Sequence, residues 1–114
     1  MNTYYEKALE YYEKAIQIAL TDDESLLASY SACCATLVCL IMQKPSRAEI
    51  ILKNIRNSSP TNYDELSDIV LRAYKTKNQR EYEEIHLKFS KIIKNSAEIR
   101  NLLDSTEKSC IKPP

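Results

Sequence analysis

The 114-residue chain contains no glycine and no tryptophan, and it has only four prolines and one histidine. Loops that cradle phosphate groups need residues that tolerate positive φ and a close approach of the backbone. The absence of glycine therefore excludes nucleotide-binding loops of the Walker, dinucleotide and kinase types. An excess of charge is also missing, since 16 Lys and Arg residues balance 16 Asp and Glu residues. Nucleic-acid-binding domains usually carry a basic excess, so we expect no nucleic-acid partner.

Apolar segments long enough to cross a membrane are missing as well. The longest apolar segment, residues 32–42, is far shorter than the ~20 residues that a transmembrane helix needs. The N-terminal residues lack the basic start and apolar core of a signal peptide. Cys33, Cys34 and Cys39 share one apolar segment, which is typical of reduced thiols rather than of a disulfide framework. We expect a cytoplasmic protein without a membrane span, which becomes peripheral to membranes only through its partners.

The titratable residues form no pattern typical of catalysis or metal binding. His86 has no second histidine beside it, and the spacing of the three clustered cysteines is poor for one tetrahedral metal site. Thiols among leucine and valine side chains are expected to be inert as nucleophiles. We therefore predict a protein that is not an enzyme and that uses no metal and no cofactor.

What the chain does contain is an apolar period of about 3.6 residues along most of its length. The predicted helices are residues 4–20, 21–43, 46–57, 62–76, 79–94 and 96–109. The second helix is apolar around most of its circumference, so we expect it to pack between neighbours. Together they form one predicted domain, residues 1–109, followed by a flexible tail, residues 110–114.

Five four-residue segments resemble capping boxes, in which Ser, Thr or Asn opens a helix and Glu follows three residues later. They are residues 21–24, 46–49, 62–65, 78–81 and 95–98. The connections between helices are consequently short, which places consecutive helices antiparallel. At the helix ends we expect Asn57, Asn78 and Asn95 to adopt the left-handed conformation that glycine usually takes. The fold class predicted is all-α, built from antiparallel helical hairpins.

The first helix resembles the second helix of a tetratricopeptide repeat (TPR), with Ala8, Tyr12 and Ala15 in the small–aromatic–small slots of that repeat. Ala48, Leu52 and Ile55 occupy the same slots about 40 positions later. The resemblance implies a TPR-like solenoid of five to six helices, and such solenoids bind other proteins along a groove.

A second resemblance covers most of the chain. The Tyr- and Cys-rich segment 29–42, followed by segments 47–49, 63–74 and 78–82, resembles the C-terminal part of soluble NSF attachment proteins (SNAPs). This resemblance implies an adaptor that wraps SNARE helix bundles with a charged face and recruits their hexameric disassembly ATPase. The chain departs from the family at residues 109–114, which lack the acidic tail.

Basic residues concentrate between positions 72 and 94. Lys88, Lys91 and Lys94 follow each other at intervals of three residues, and Arg72 and Lys75 lie on the preceding helix. We predict that these five residues bind acidic helices of a protein partner and steer its association. The alternative is a solvated helix face.

Tyr11 falls outside the main apolar stripe of the first helix, where it would contact a partner or a preceding helix. The predicted function is that of a non-catalytic protein–protein interaction adaptor, in its SNAP-like form acting in SNARE complex disassembly and vesicle trafficking. The alternative is a structural capping or self-associating segment of a larger helical-repeat assembly, with a homodimer formed through the first helix.

Overall fold

The computed structural model describes residues 3–55 and 60–111, of which residues 110 and 111 are described by their backbone alone. Within these ranges the chain forms helices and no strand. The helices are α1 (Thr3–Thr21), α2 (Ser25–Ile41), α3 (Pro45–Asn54), α4 (Asn62–Thr76), α5 (Gln79–Lys88), α6 (Ser90–Asn95) and α7 (Ala97–Ile111). The all-α prediction is confirmed. Of the predicted tail, residues 110 and 111 belong to α7, and residues 112–114 lie outside the described residues.

The described residues contain seven helices rather than five or six, because the predicted helix 79–94 is interrupted at Phe89. The backbone of Phe89 leaves the helical region, with φ −108° and ψ 25°. Its side chain is only 5% exposed and belongs to the hydrophobic core. Neither proline nor glycine is present at this point, so we attribute the interruption to the packing of Phe89 rather than to a local helix breaker.

Helix α2 lies at the centre of the molecule. All of residues 31–40 are buried, and α2 packs on α1, α3, α4 and α7. Ala28, Ala32 and Ala35 are fully buried, and their small side chains let neighbouring helices approach closely. The prediction that this helix packs between neighbours is confirmed.

Helices α4 and α5 form an antiparallel hairpin across the two-residue link 77–78. Arg72 pairs with Glu81 close to the link, and Glu65 pairs with Lys88 far from it. Only antiparallel helices bring together both of these pairs. The predicted hairpin is therefore present at this position.

The contact between α7 and α2 joins elements that are distant in sequence. Ile99, Leu103 and Thr106 of α7 are fully buried, and the Thr106 hydroxyl donates to the Leu37 carbonyl at 3.2 Å. In a solenoid each repeat contacts only its neighbours along the chain. The solenoid arrangement of the hairpins is thus not confirmed.

Two of the predicted capping boxes are wrong. Helix α2 has Glu24 as its N-cap without a side-chain hydrogen bond, and the Thr21 hydroxyl donates instead to the Gln17 carbonyl within α1. Helix α3 begins at Pro45, with Lys44 as an N-cap that also makes no side-chain hydrogen bond. Proline suits this first position, because the missing N–H has no partner there in any case.

The remaining three caps lie at or next to the predicted residue. Asn78 is the N-cap of α5 as predicted, but its side chain accepts from the Arg80 amide at 3.0 Å and forms no capping box with Glu81. The other two are displaced by one residue: Thr61 rather than Asn62 forms a capping box with Asp64, and Ser96 rather than Asn95 accepts from the Ile99 amide.

The left-handed residues differ from the predicted asparagines. They are Asp23, Gln43 and Lys77, with φ of 59°, 62° and 54°. Asn78 has φ −101° because it serves as the N-cap of α5, and Asn95 belongs to α6. The third predicted residue, Asn57, lies outside the described residues.

Candidate functional site

A groove with an apolar floor runs between α4 and α5, and its volume is about 630 Å³. Ile69 of α4 and Ile85 of α5 line it, together with Phe89, which follows α5. Ile85 and Phe89 belong to the core, whereas Ile69 is partly exposed. The hairpin therefore leaves part of the apolar contact between its helices open to a ligand.

Charged side chains form the rim of this groove. The Arg72 Nε donates to the Glu81 carboxylate at 3.0 Å, and the Lys88 Nζ donates to the Glu65 carboxylate at 3.0 Å. Lys88 also lies 5.6 Å from the centre of the Phe89 ring. Within the described part of the chain, Glu84 lines the same groove without forming an ion pair. The rim thus presents both signs of charge around an apolar floor.

Leu87 lines the groove and is 79% exposed, the highest value among the large hydrophobic residues that the structure describes. Apolar surface that is rimmed by polar residues is typical of protein interaction sites, and Leu87 adds to the apolar lining formed by Ile69, Ile85 and Phe89. No sequence signal identified Leu87, because it is a single leucine between polar residues and lies off the apolar period of its helix.

The predicted partner-binding residues lie at several places. Arg72 and Lys88 come together at the groove. Lys75 instead pairs with Glu49 of α3. The interruption at Phe89 separates Lys88 on α5 from Lys91 and Lys94 on α6, so the three lysines do not share one helix.

Lys91 and Lys94 are exposed and form no ion pair with a carboxylate of residues 3–55 or 60–111. Lys91 lines a second cavity, of about 350 Å³, together with Tyr30 and Tyr63. Tyr11 lies apart from all of these residues, on α1, where it is 68% exposed. Its ring contacts that of Tyr12 edge to face at 5.5 Å.

Hydrogen bonds connect α7 to α1 and α2 at a polar junction that the sequence did not predict. The hydroxyls of Tyr12 and Tyr30 both donate to the Glu98 carboxylate, the second at 2.7 Å. Ser96 Oγ lies 3.0 Å from the Tyr30 hydroxyl. Burial, and secondarily the bond to Glu98, raises the pKa of the Tyr12 hydroxyl above its ordinary value. In the sequence, only the two tyrosines could have indicated this junction, because a buried tyrosine hydroxyl usually finds a hydrogen-bond partner.

The clustered thiols are buried and free. Burial raises the pKa of Cys39 from 9.0 to about 11 and that of Cys33 from 9.0 to about 12. Their burial, which the apolar segment predicted, is confirmed, and buried protonated thiols are poor nucleophiles. Among the described residues, no group of three or more His, Cys, Asp or Glu side chains is arranged to hold a metal ion.

None of the helices in the described ranges combines the length and the apolar character that crossing a membrane requires. In comparisons with known proteins, no family model, no curated protein and no solved structure matches the chain. The likeness to TPR proteins and to SNAPs therefore stays a prediction.

Proposed function

We propose that this chain is a non-catalytic adaptor that binds a helix of a partner protein in the groove between α4 and α5. The observation that carries the proposal is the position of Leu87, exposed beside an apolar floor and a rim of charged side chains. A helix with one apolar face can place its side chains in such a groove while its flanking residues meet the rim.

The charges define the chemistry of this partner helix. Arg72 and Lys88 already have carboxylate partners within the chain, so they contribute little net charge to the rim. Lys91 and Lys94 follow the groove along the chain without such partners among the described residues. A partner helix with acidic residues beyond its apolar face would match them, and its association would weaken with salt.

The sharper form of this proposal is a SNAP-like adaptor whose partners are a SNARE helix bundle and the ATPase that disassembles it. In this form the hairpins belong to a TPR-like solenoid. A cytoplasmic location belongs to the same proposal, supported by three buried cysteines that are free thiols. The support for the SNARE partner is the resemblance of segments 29–42, 47–49, 63–74 and 78–82 to the SNAP family.

Retention of the chain on immobilised, assembled SNARE bundles tests the proposal. We expect the wild type to be retained at low salt and less at moderate salt. Leu87→Asp should weaken binding by about tenfold or more, because an apolar anchor at the centre of an interface contributes most of its affinity. The matched control is Ile50→Asp on α3, which changes a residue that is 60% exposed and does not line the groove.

The basic residues are tested in the same assay. Lys91→Glu combined with Lys94→Glu should reduce retention mainly at low salt, whereas Lys53→Glu on α3 should not. Failure of the wild type to bind would remove the SNARE partner from the proposal. Equal binding by Leu87→Asp and Ile50→Asp would remove the groove between α4 and α5 from the proposal.

A further inference from the structure

Helix α1 has a second apolar face besides the one that packs into the core. Its core residues are Leu9, Tyr12, Ile16 and Ala19. The second face, which we name the α1 seam, consists of Tyr4, Ala8, Tyr11, Ala15 and Ile18. Tyr4, Tyr11 and Ile18 are 74%, 68% and 61% exposed, and the two alanines are half-buried. Ala8 packs partly against the core, whereas Tyr4, Tyr11 and Ile18 give the α1 seam an exposed apolar edge.

The spacing of the α1 seam is that of a coiled coil. Its residues alternate by four and three positions, as the a and d residues of a heptad do. Seven residues return a helix to within about 20° of the same direction, so the seam runs nearly parallel to the axis for about 21 Å. Singly scattered exposed apolar residues are ordinary, whereas a continuous line of this kind fits a second helix laid along it.

The two sides of the α1 seam carry opposite charge. Lys7 and Lys14 each precede an alanine of the seam, so both lie along one side. Tyr12 lies along the other side, and its hydroxyl donates to the exposed carboxylate of Glu98. A surface that is basic on one side and acidic on the other is complementary to a second copy of itself under two-fold symmetry.

We propose that two copies of this chain associate through their α1 seams, with the two α1 helices parallel. In a parallel pair, Lys7 of one copy faces Tyr12 of the second copy, and with it the carboxylate of Glu98. In an antiparallel pair Lys7 would face Lys14, and these like charges repel. Leu26 and Leu27, which are 61% and 46% exposed, lie in the first turn of α2, which follows the end of α1.

Sedimentation velocity over low micromolar to submillimolar concentrations tests the association. The wild type should pass from monomer to dimer, and Tyr11→Asp and Ile18→Asp should each raise the dissociation constant by at least about tenfold. Both residues are exposed, so circular dichroism should show unchanged helix content. A wild type that stays monomeric throughout, or seam variants that associate like the wild type, would overturn the proposal.

Leu87→Asp is the matched control, because it places the same charge on an exposed leucine outside the seam. We expect it to dimerise like the wild type while losing the groove partner, whereas Tyr11→Asp should keep that partner and lose the dimer. The self-association therefore stands or fails separately from the proposed adaptor function. Loss of the dimer in Leu87→Asp as well would overturn the assignment to the α1 seam.

The orientation is tested by disulfide formation in a Cys110→Ser background, in which the remaining cysteines of the described residues are buried. In a parallel pair Ile18→Cys faces its own copy, so mild oxidation should produce a covalent dimer. Lys7→Glu should weaken the association, because it places two carboxylates together. Cross-linking only in a mixture of Tyr4→Cys and Ile18→Cys, or a stronger dimer of Lys7→Glu, would indicate an antiparallel pair and overturn the proposed orientation.

Discussion

The pKa of each of the clustered thiols is raised mainly by burial, which removes the thiol from water. Cys33 is fully buried, and burial is the largest cause of its raised pKa, ahead of the opposing hydrogen bond from Ser67. Burial is also the largest cause of the raised pKa of Cys39, whereas the nearby Arg47 lowers that pKa. The apolar neighbours of these residues in the sequence predicted this burial correctly, because a run of leucine, valine and alanine leaves a thiol no exposed face.

The raised thiol pKa values predict a loss of stability in alkali. The native state holds these protons up to a pH of about 11 for Cys39 and about 12 for Cys33, whereas the unfolded chain releases them from about 9. The free energy of unfolding should therefore be constant from about pH 7 to pH 8.5 and should fall as the pH rises beyond 9. Urea unfolding at a series of pH values measures it.

Cys39→Ala provides the control for this prediction. Because alanine cannot ionise, the stability of the variant should decline less steeply above about pH 9 than that of the wild type, whatever its stability at neutral pH. Equal slopes for the two proteins would show that the Cys39 thiol does not titrate between the folded and unfolded states as expected.

At the level of the helix, the apolar period predicted where helices exist better than where they end. The capping residues of α4 and α7 differ from the predicted ones by one position, because two suitable residues stand side by side, Thr61 with Asn62 and Asn95 with Ser96, and either can supply the oxygen. The interruption at Phe89 was not predictable, since it depends on how one ring packs in the core. The role of Glu98 was not predictable either, because its tyrosine partners belong to other helices.

Glu98 is expected to hold the beginning of α7 against α1 and α2. Glu98→Ala leaves the hydroxyls of Tyr12 and Tyr30 without this acceptor, which should lower the free energy of unfolding by about 1–3 kcal/mol. Asp104→Ala on the same helix removes only an exposed pair with Lys108, so it should cost less than about 0.5 kcal/mol. Urea unfolding of both variants at neutral pH measures the difference, and equal costs would contradict a special role for the junction.

For the molecule as a whole, the sequence indicated which faces of the helices are apolar but not which helices cover them. Helix α2 is apolar all round, and it was correctly predicted to pack between neighbours. That α7 is one of these neighbours does not follow from local spacing, because many arrangements of amphipathic helices satisfy the same pattern. The groove shows the same division: Arg72 and Lys88 were predicted as binding residues, whereas their juxtaposition and the exposure of Leu87 depend on how α4 and α5 pack.

Removal of α7 distinguishes a closed bundle from a stack of independent hairpins. A variant that ends at residue 96 loses Ile99 and Leu103, whose burial contributes about 1.5–3 kcal/mol each, and it also uncovers one side of α2. Since a domain is stable by only about 5–15 kcal/mol, we expect this variant to lose cooperative thermal unfolding, measured by circular dichroism. A control that ends at residue 111 retains all of α7 and should melt like the wild type. If the variant without α7 kept the wild-type midpoint, the stacked preceding helices would be stable without it, as expected of a solenoid in which each repeat depends only on its neighbours.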